Sequence, residues 1–365
     1  MRRVSTADLM PGMITAEDVY DYNNQLILPR GLVLTDKTIT KLEFYSIINV
    51  RIEDGKAEEE VPVPEPEPAS EPAVSYSERV KKSPQFIEFK QRFEEEVPKF
   101  RGLLDSVAKG NKPISVDNMM KCFDNILGAD EGYLNVFDML HNMRQYDDMT
   151  YVHSMNVALI CNVFAHWLKM SEDEIRLATA CGLLHDIGKI VIPETVIKKP
   201  AKLTDQEFSL VKKHTLEGYN ILRHNGAAEP IMNAALMHHE RCDGSGYPFG
   251  IRNAKIDTYA KMVAIADVYD AMTSARVYRG PMCPFTVIEI FETEGLQKYD
   301  TRFIMTFLEN IVNTYMLQRV RLSDGREGDI VFINRSALSK PTIKTPDGSF
   351  IDLSSYPDLS IEAII

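Results

Sequence analysis

The sequence predicts a mainly α protein, with a helical domain between a small N-terminal α+β domain and a short C-terminal β appendage. Three observations predict it. Apolar residues recur at helical spacing from about residue 83 to about 317, and beyond 318 the apolar period switches to two. Ahead of the helices lies a Pro- and Glu-rich stretch whose composition has too little apolar surface to fold. The expected divisions are 1–55 for the accessory domain, 56–80 for the linker, 81–317 for the helical domain and 318–365 for the appendage.

Within 1–55, strand-like runs fall at Met13–Thr15, Gln25–Leu28 and Val50–Ile52. They surround a helix expected over Asp36–Tyr45, with Thr35 placed to cap it. Turns are expected at Gly31 and at Asn23-Asn24. Catalytic residue types are missing here, so the unit reads as a packing module or a sensing and docking piece. The linker begins with the acidic run Glu58–Glu60. It continues with Pro62, Pro64, Pro66, Pro68 and Pro72 among Glu, Val, Ala and Ser, an extended semi-rigid spacer.

In the helical part, Phe86, Phe89, Phe93 and Val97 form one stripe, expected to end or kink near Pro98. Further helices are expected over Val116–Leu127, Glu131–Gln145 and Asp148–Lys169. Ser171 with Glu174, and Thr204 with Glu207, are capping-box pairs that should open the helices carrying Asp186 and His214. Past 318, strands are expected at Val320–Leu322, Asp329–Ile333, Thr342–Lys344 and Phe350–Leu353, with hairpin turns at Asp324-Gly325 and Asp347-Gly348.

Composition narrows the function. The net charge of −12 argues against binding polymeric nucleic acid or an anionic membrane, although a small anion remains compatible with a locally basic pocket. Cys122, Cys161, Cys181, Cys242 and Cys283 are odd in number and show no CxxC spacing, which suggests reduced thiols. Apolar runs fall short of the ~18 residues of a membrane span. The Met-Arg-Arg start lacks the apolar segment of a signal peptide, so a cytoplasmic setting without membrane insertion is expected.

The chemistry centres on Leu184-His185-Asp186-Ile187-Gly188-Lys189, which ends an apolar run. An isolated His-Asp pair there reads as a core histidine beside a capping aspartate; its company reverses that reading. His153, His214, His238 and His239 also lie on or at the end of apolar helices, and Asp267 follows the apolar run Met262–Ala266. His141, His166 and His224 have ordinary surface or helix-end settings. Consecutive helical residues diverge by ~100°, so His185-Asp186 and His238-His239 should serve different ions or include a bridging carboxylate. Imidazole and carboxylate without thiolate favour iron or manganese, with zinc left open. Two ions ~3.5–4 Å apart suit an in-line phosphoryl displacement. Lys189 would neutralise phosphate charge. The loop Asp243-Gly-Ser-Gly246-Tyr247-Pro lets backbone approach a ligand and offers an aromatic face. In Asp270-Ala-Met-Thr-Ser-Ala-Arg276-Val-Tyr-Arg279, two arginines suit phosphates, with a solvated helix end as the alternative for Arg279.

His185-Asp-Ile-Gly-Lys189 and His238-His-Glu-Arg-Cys-Asp-Gly-Ser-Gly-Tyr-Pro248 resemble the paired signatures of the HD-GYP family, a branch of the HD-domain metal-dependent phosphohydrolases. The likeness spans roughly residues 140–315 and takes in Asp147, Thr150, Lys199-Pro200, Leu203-Thr204 and Glu207. It implies an all-helical phosphodiesterase that opens cyclic di-GMP to pGpG, and often on to GMP, by in-line attack of a metal-bridging hydroxide. It puts His153, His185 and Asp267 on one divalent ion and His214, His238 and His239 on a second, with Asp186 between them. By the same resemblance Lys189, Arg276 and Arg279 hold phosphates, while Gly246 and Tyr247 shape the substrate pocket. Some members add a third ion through a glutamate one turn before the first histidine. That position is Met149 here, so two ions are expected. Val277 replaces the family's frequent proline after the arginine.

Two other readings compete. A wider HD-class phosphohydrolase acting on nucleotides or (p)ppGpp would lack the GYP extension. A catalytically silent cyclic-dinucleotide-binding signalling module would have lost ligands, and none is lost. Which cyclic dinucleotide is taken stays open, as does a homodimer or a signalling-protein partner.

Overall fold

The computed structural model describes residues 2–6, 9–20, 26–35, 38–39, 42, 47, 49–53, 76–108, 113–128, 136–143, 149–199, 201–274 and 280–365. It divides into two compact units, residues 77–314 and residues 1–76 with 315–365.

The first unit is helical. After α1 (Tyr76–Lys82), α2 runs over Pro84–Ala108 with Pro98 inside it, so of the two expected outcomes the helix does not end there. Proline removes one amide donor and strains the preceding turn. Phe89, Phe93, Val97, Phe100 and Leu104 are buried along the same face on both sides of it, and that burial carries the helix through. Next, α3 (Val116–Leu127) opens on Ser115, whose hydroxyl accepts the Asn118 amide, and stops at Gly128 with φ of 72°. Of the segment expected over Glu131–Gln145, α4 covers Val136–Asn142, and the flanks lie outside the described residues.

The centre of this unit is α5 (Met149–Trp167), apolar on nearly every face from Met155 to Ala165 and accordingly buried. Next come α6 (Glu172–Leu184), α7 (Glu194–Ile197), α8 (Asp205–Lys212), α9 (His214–His224) and α10 (Glu229–Met237). The Ser171–Glu174 and Thr204–Glu207 capping boxes form as expected, but the helices they open are shorter than expected. Asp186 lies two residues past the end of α6, and His214 starts a helix of its own rather than continuing α8. Then α11 (Thr258–Thr273) begins at Asp257, whose carboxylate accepts the Tyr259 and Ala260 amides. The unit closes with α12 (Pro284–Ile290) and α13 (Thr301–Thr314). Its aromatic core stacks Phe137 on Trp167 at 5.4 Å, with Phe307 packed edge-on to Phe164 and Tyr269 at 5.2 and 5.3 Å.

In the second unit, β1 (Arg2–Ser5) pairs antiparallel with β4 (Asn49–Ile52), and β2 (Val19–Tyr20) with β3 (Leu26–Leu28). Leu9, Val19, Leu28, Leu34, Leu42, Val50 and Ile52 form its N-terminal core. Met13–Thr15 contributes only isolated bridges at Ile14 and Thr15. Most of the helix expected at Asp36–Tyr45, the Asn23-Asn24 turn and the linker through 75 lie outside the described residues. The C-terminal strands are β5 (Arg319–Leu322), β6 (Glu327–Phe332), β7 (Thr342–Lys344), β8 (Phe350–Asp352) and β9 (Ile361–Ile364). They form a five-stranded antiparallel sheet in the order β8-β7-β6-β5-β9. β9 was not anticipated; it pairs Ile364 with Val320, a partner more than forty residues earlier. No described helix is long and apolar enough to cross a membrane.

Candidate metal centre

Five segments of the helical unit bring the seven expected ligands together. His153 comes from α5, His185 and Asp186 from the end of α6, and His214 from the first residue of α9. His238 and His239 follow α10, and Asp267 lies on α11. Two glycines let these segments approach. A Cβ on Gly188 would lie 1.9 Å from the His214 carbonyl oxygen and 2.5 Å from the Gly218 amide, so only a hydrogen fits where the turn after Asp186 meets α9. A Cβ on Gly246 would lie 2.4 Å from the Arg241 amide and 2.5 Å from the His239 carbonyl, so this loop can fold back only with glycine.

Asp186 is fully enclosed, and its two oxygens face different partners. Oδ2 is 3.3 Å from His185 Nε2 and 3.7 Å from His153 Nε2, and it accepts from Lys189 Nζ. Oδ1 is 3.3 Å from His214 Nε2 and 3.7 Å from His238 Nε2. Asp267 splits in the same way. Its Oδ1 lies 3.0 Å from His153 Nε2 and 3.9 Å from His185 Nε2, and its Oδ2 lies 3.9 Å from His239 Nδ1. Two groups result, His153–His185–Asp186 and Asp186–His214–His238–His239, each with its ligand atoms close enough to hold one ion.

For His185-Asp186 the arrangement agrees with the bridging-carboxylate alternative, since Asp186 belongs to both groups, whereas His238 and His239 fall in one group, against the expected divergence of helical neighbours. That expectation rested on helical geometry, and both pairs sit where their helices have just ended: His185 caps α6, His238 caps α10, and Asp186 has left the helical region at φ −99°, ψ 9°. Neighbours can therefore converge.

The donor set fits metal ions. His185 Nε2 and Asp186 Oδ1 are buried without a hydrogen-bond partner among the described residues, and both face the middle of the cluster. Burial holds His214, His238 and His239 neutral, His239 down to about 3, with neighbouring imidazoles adding to the shift at His238. Neutral imidazole is the metal-binding form. Burial opposes charge on Asp186 and Asp267, but Lys189 and His185 around the first, and His153 around the second, keep both carboxyls well below their usual range. At His153 burial is outweighed by hydrogen bonds to Asp267 and Asp270, which raise its pKa to about 9.

Aromatic rings lie beside this cluster. Tyr247 stacks on His239 at 4.6 Å, and its amide donates to the His239 carbonyl. Phe208 from α8, 44% exposed, meets the Tyr247 edge at 6.3 Å, and Lys212 Nζ lies over both rings. Buried Glu240 orders the loop beyond by accepting the Phe249 and Ile251 amides. Arg276 and Arg279 lie outside the described residues.

Sequence reasoning missed Phe208 and Lys212, which no motif marks. It also gave no role to Asn156 and Asp270, each three residues after a ligand and so on the same helical face. That spacing was the available signal.

Residues 138–303 match the family model for the HD domain. The chain is 32% identical over 239 residues to cyclic di-GMP phosphodiesterase PA4108 of Pseudomonas aeruginosa, covering 65% of this chain and 57% of that one. It is 33% identical over 196 residues to 3'3'-cGAMP-specific phosphodiesterase 1 of Vibrio cholerae, covering 53% and 46%. Against a cyclic di-GMP phosphodiesterase of Thermotoga maritima it is 36% identical over 179 residues, covering 48% of each. The chain thus spans about half the length of the curated relatives it matches. The family-model match lies over the helices that bring His153, His185, Asp186, His214, His238, His239 and Asp267 together, with the GYP loop folded beside them, so the part of the chain that carries the site is the part that is similar to the HD domain.

Proposed function

We propose that the chain is a metal-dependent phosphodiesterase that opens cyclic di-GMP to linear pGpG. The observation that carries the reading is the division of Asp186, one oxygen toward His153 and His185 and the other toward His214 and His238. A carboxylate so placed suits a pair of ions. Two divalent transition-metal ions, iron or manganese by donor type and zinc also accommodated, would supply Lewis acidity toward the phosphodiester when bound.

The protein's own groups account for the rest. Lys189 is partly exposed while its ammonium holds Asp186, so it can meet a phosphate oxygen at the mouth of the cluster. Arg276 and Arg279 are assigned the remaining phosphate charge. Tyr247, backed by His239, offers a flat wall for a purine or its ribose, and Gly246 keeps the backbone beside it low. In the net reaction water adds to phosphorus and the bond to the ribose 3′-oxygen breaks. A cytoplasmic setting suits the buried thiols of Cys122, Cys161 and Cys181. The net charge of −12 favours a small anion over a polymeric nucleic acid.

The test is anaerobic purification, metal analysis, and turnover of cyclic di-GMP and 3'3'-cGAMP by the wild type and Asp186→Ala. The wild type should carry two ions and prefer cyclic di-GMP, and the variant should lose about 10³-fold or more in kcat/KM. Retained activity in the variant overturns the site. Tight binding without turnover under every metal favours the silent signalling module, and preference for 3'3'-cGAMP changes the substrate.

A further inference from the structure

Asp270 lies outside the ligand set, yet it is buried and its side-chain contacts converge on one ligand. Asn156 Nδ2 and Ser274 Oγ donate to its Oδ1 at 3.0 and 3.1 Å, which tethers that oxygen. Its Oδ2 is left for His153 Nδ1, at 2.7 Å. The other imidazoles with a fixed outer nitrogen are held differently. His185, His214 and His238 turn Nδ1 to backbone carbonyls of residues three or four earlier, at 2.7, 2.6 and 3.0 Å. Among the described ligands, His153 is thus the imidazole backed by a carboxylate.

That difference matters because His153 has a competing arrangement. Its Nε2 lies 3.0 Å from Asp267 Oδ1, close enough to donate a hydrogen bond if the proton sits on Nε2. In that tautomer the nitrogen facing the cluster has no lone pair for a metal. A carboxylate at Nδ1 opposes it by holding the proton on the outer nitrogen, and it makes the inner nitrogen a stronger donor. Asn156 lies one turn beyond His153 on α5, and Ser274 directly follows α11, so the arrangement is anchored at both ends.

We propose that Asp270 is a positioning residue for the ion on the His153–His185–Asp267 side: it fixes the proton of His153 on Nδ1 and so keeps Nε2 available. The His214–His238–His239 side has no such dependence. This rests on the two-ion reading above.

The experiment is Mn²⁺ titration of the metal-stripped full chain, with free ion counted by electron paramagnetic resonance, for the wild type, Asp270→Ala and Asp270→Asn. The wild type should take up two equivalents. Asp270→Ala should keep one at wild-type affinity and bind the other about 10- to 100-fold more weakly. Asp270→Asn, which still accepts from Nδ1–H but carries no charge, should fall between, and it carries the test if the alanine variant does not fold. Histidine ¹⁵N spectra of the metal-stripped chain, recorded above pH 9 where the His153 ring is neutral, should show its proton on Nδ1 in the wild type and on Nε2 in Asp270→Ala. Two wild-type-like equivalents in the alanine variant, equal weakening of both, or an unchanged His153 tautomer each overturn the assignment. A wild type that takes up a single equivalent sinks the two-ion reading instead, is seen before any variant is made, and leaves the tautomer to decide the role of Asp270.

Discussion

At Gly188 a hydrogen stands where any other residue would drive a methyl into the backbone of α9. The atoms in the way are a carbonyl and an amide, which cannot swing aside as a side chain can. Gly188→Ala should therefore cost about 1–3 kcal/mol, the usual range for overpacking, read as a lower midpoint in thermal denaturation. Because the carbonyl met first belongs to His214, the same variant should weaken metal uptake on the His214–His238–His239 side, read by Mn²⁺ titration. At this scale the sequence was legible wherever chemistry and setting disagreed: a histidine or aspartate at the end of an apolar run is conspicuous. Asp270 was not, because its role depends on which α5 residue lies opposite, and sequence alone does not show how two helices face each other. Gly188 stood inside the motif, but what it approaches was hidden for the same reason.

Among the elements, α8 places Phe208 and Lys212 beside Tyr247, so its N-terminal capping bears on the setting of that ring. Glu207 accepts the Thr204 amide and both oxygens take Lys199, which together bring its carboxyl from 4.5 down to about 2. A depressed carboxylate contributes stability that is full above its unfolded value, near 4.5, and is lost as pH falls toward about 2. Glu207→Gln should flatten the pH dependence of thermal stability within that window and leave it unchanged near pH 7, apart from a constant offset. Melting curves at stepped pH check this. The capping boxes were readable because their signal is local, four residues long and chemically specific. Helix ends at Leu184 and Met237 were not, nor was the passage of α2 through Pro98. Each is decided by burial against distant segments, which overrides local propensity.

Over the whole molecule, the ligands come from five segments of residues 77–314, so a bound ion would tie together helices far apart in sequence. Ions that bind only the folded form stabilise it by about 2.7 kcal/mol at a hundredfold excess over Kd. Divalent metal should therefore raise the midpoint of the helical unit by several degrees, and a chelator should reverse it, while a transition belonging to the other unit stays put. Calorimetry with and without chelator separates the two. The switch of apolar period at 318 announced the C-terminal sheet from the sequence pattern, yet β9 escaped notice because its pairing with β5 closes across the entire appendage.

Trp167, stacked on Phe137 in the helical core, is the sole tryptophan in 365 residues. Indole emission therefore originates entirely within residues 77–314, whereas far-ultraviolet dichroism sums both units. Recording the two signals on one sample resolves whether the halves come apart together or in turn, with no label added.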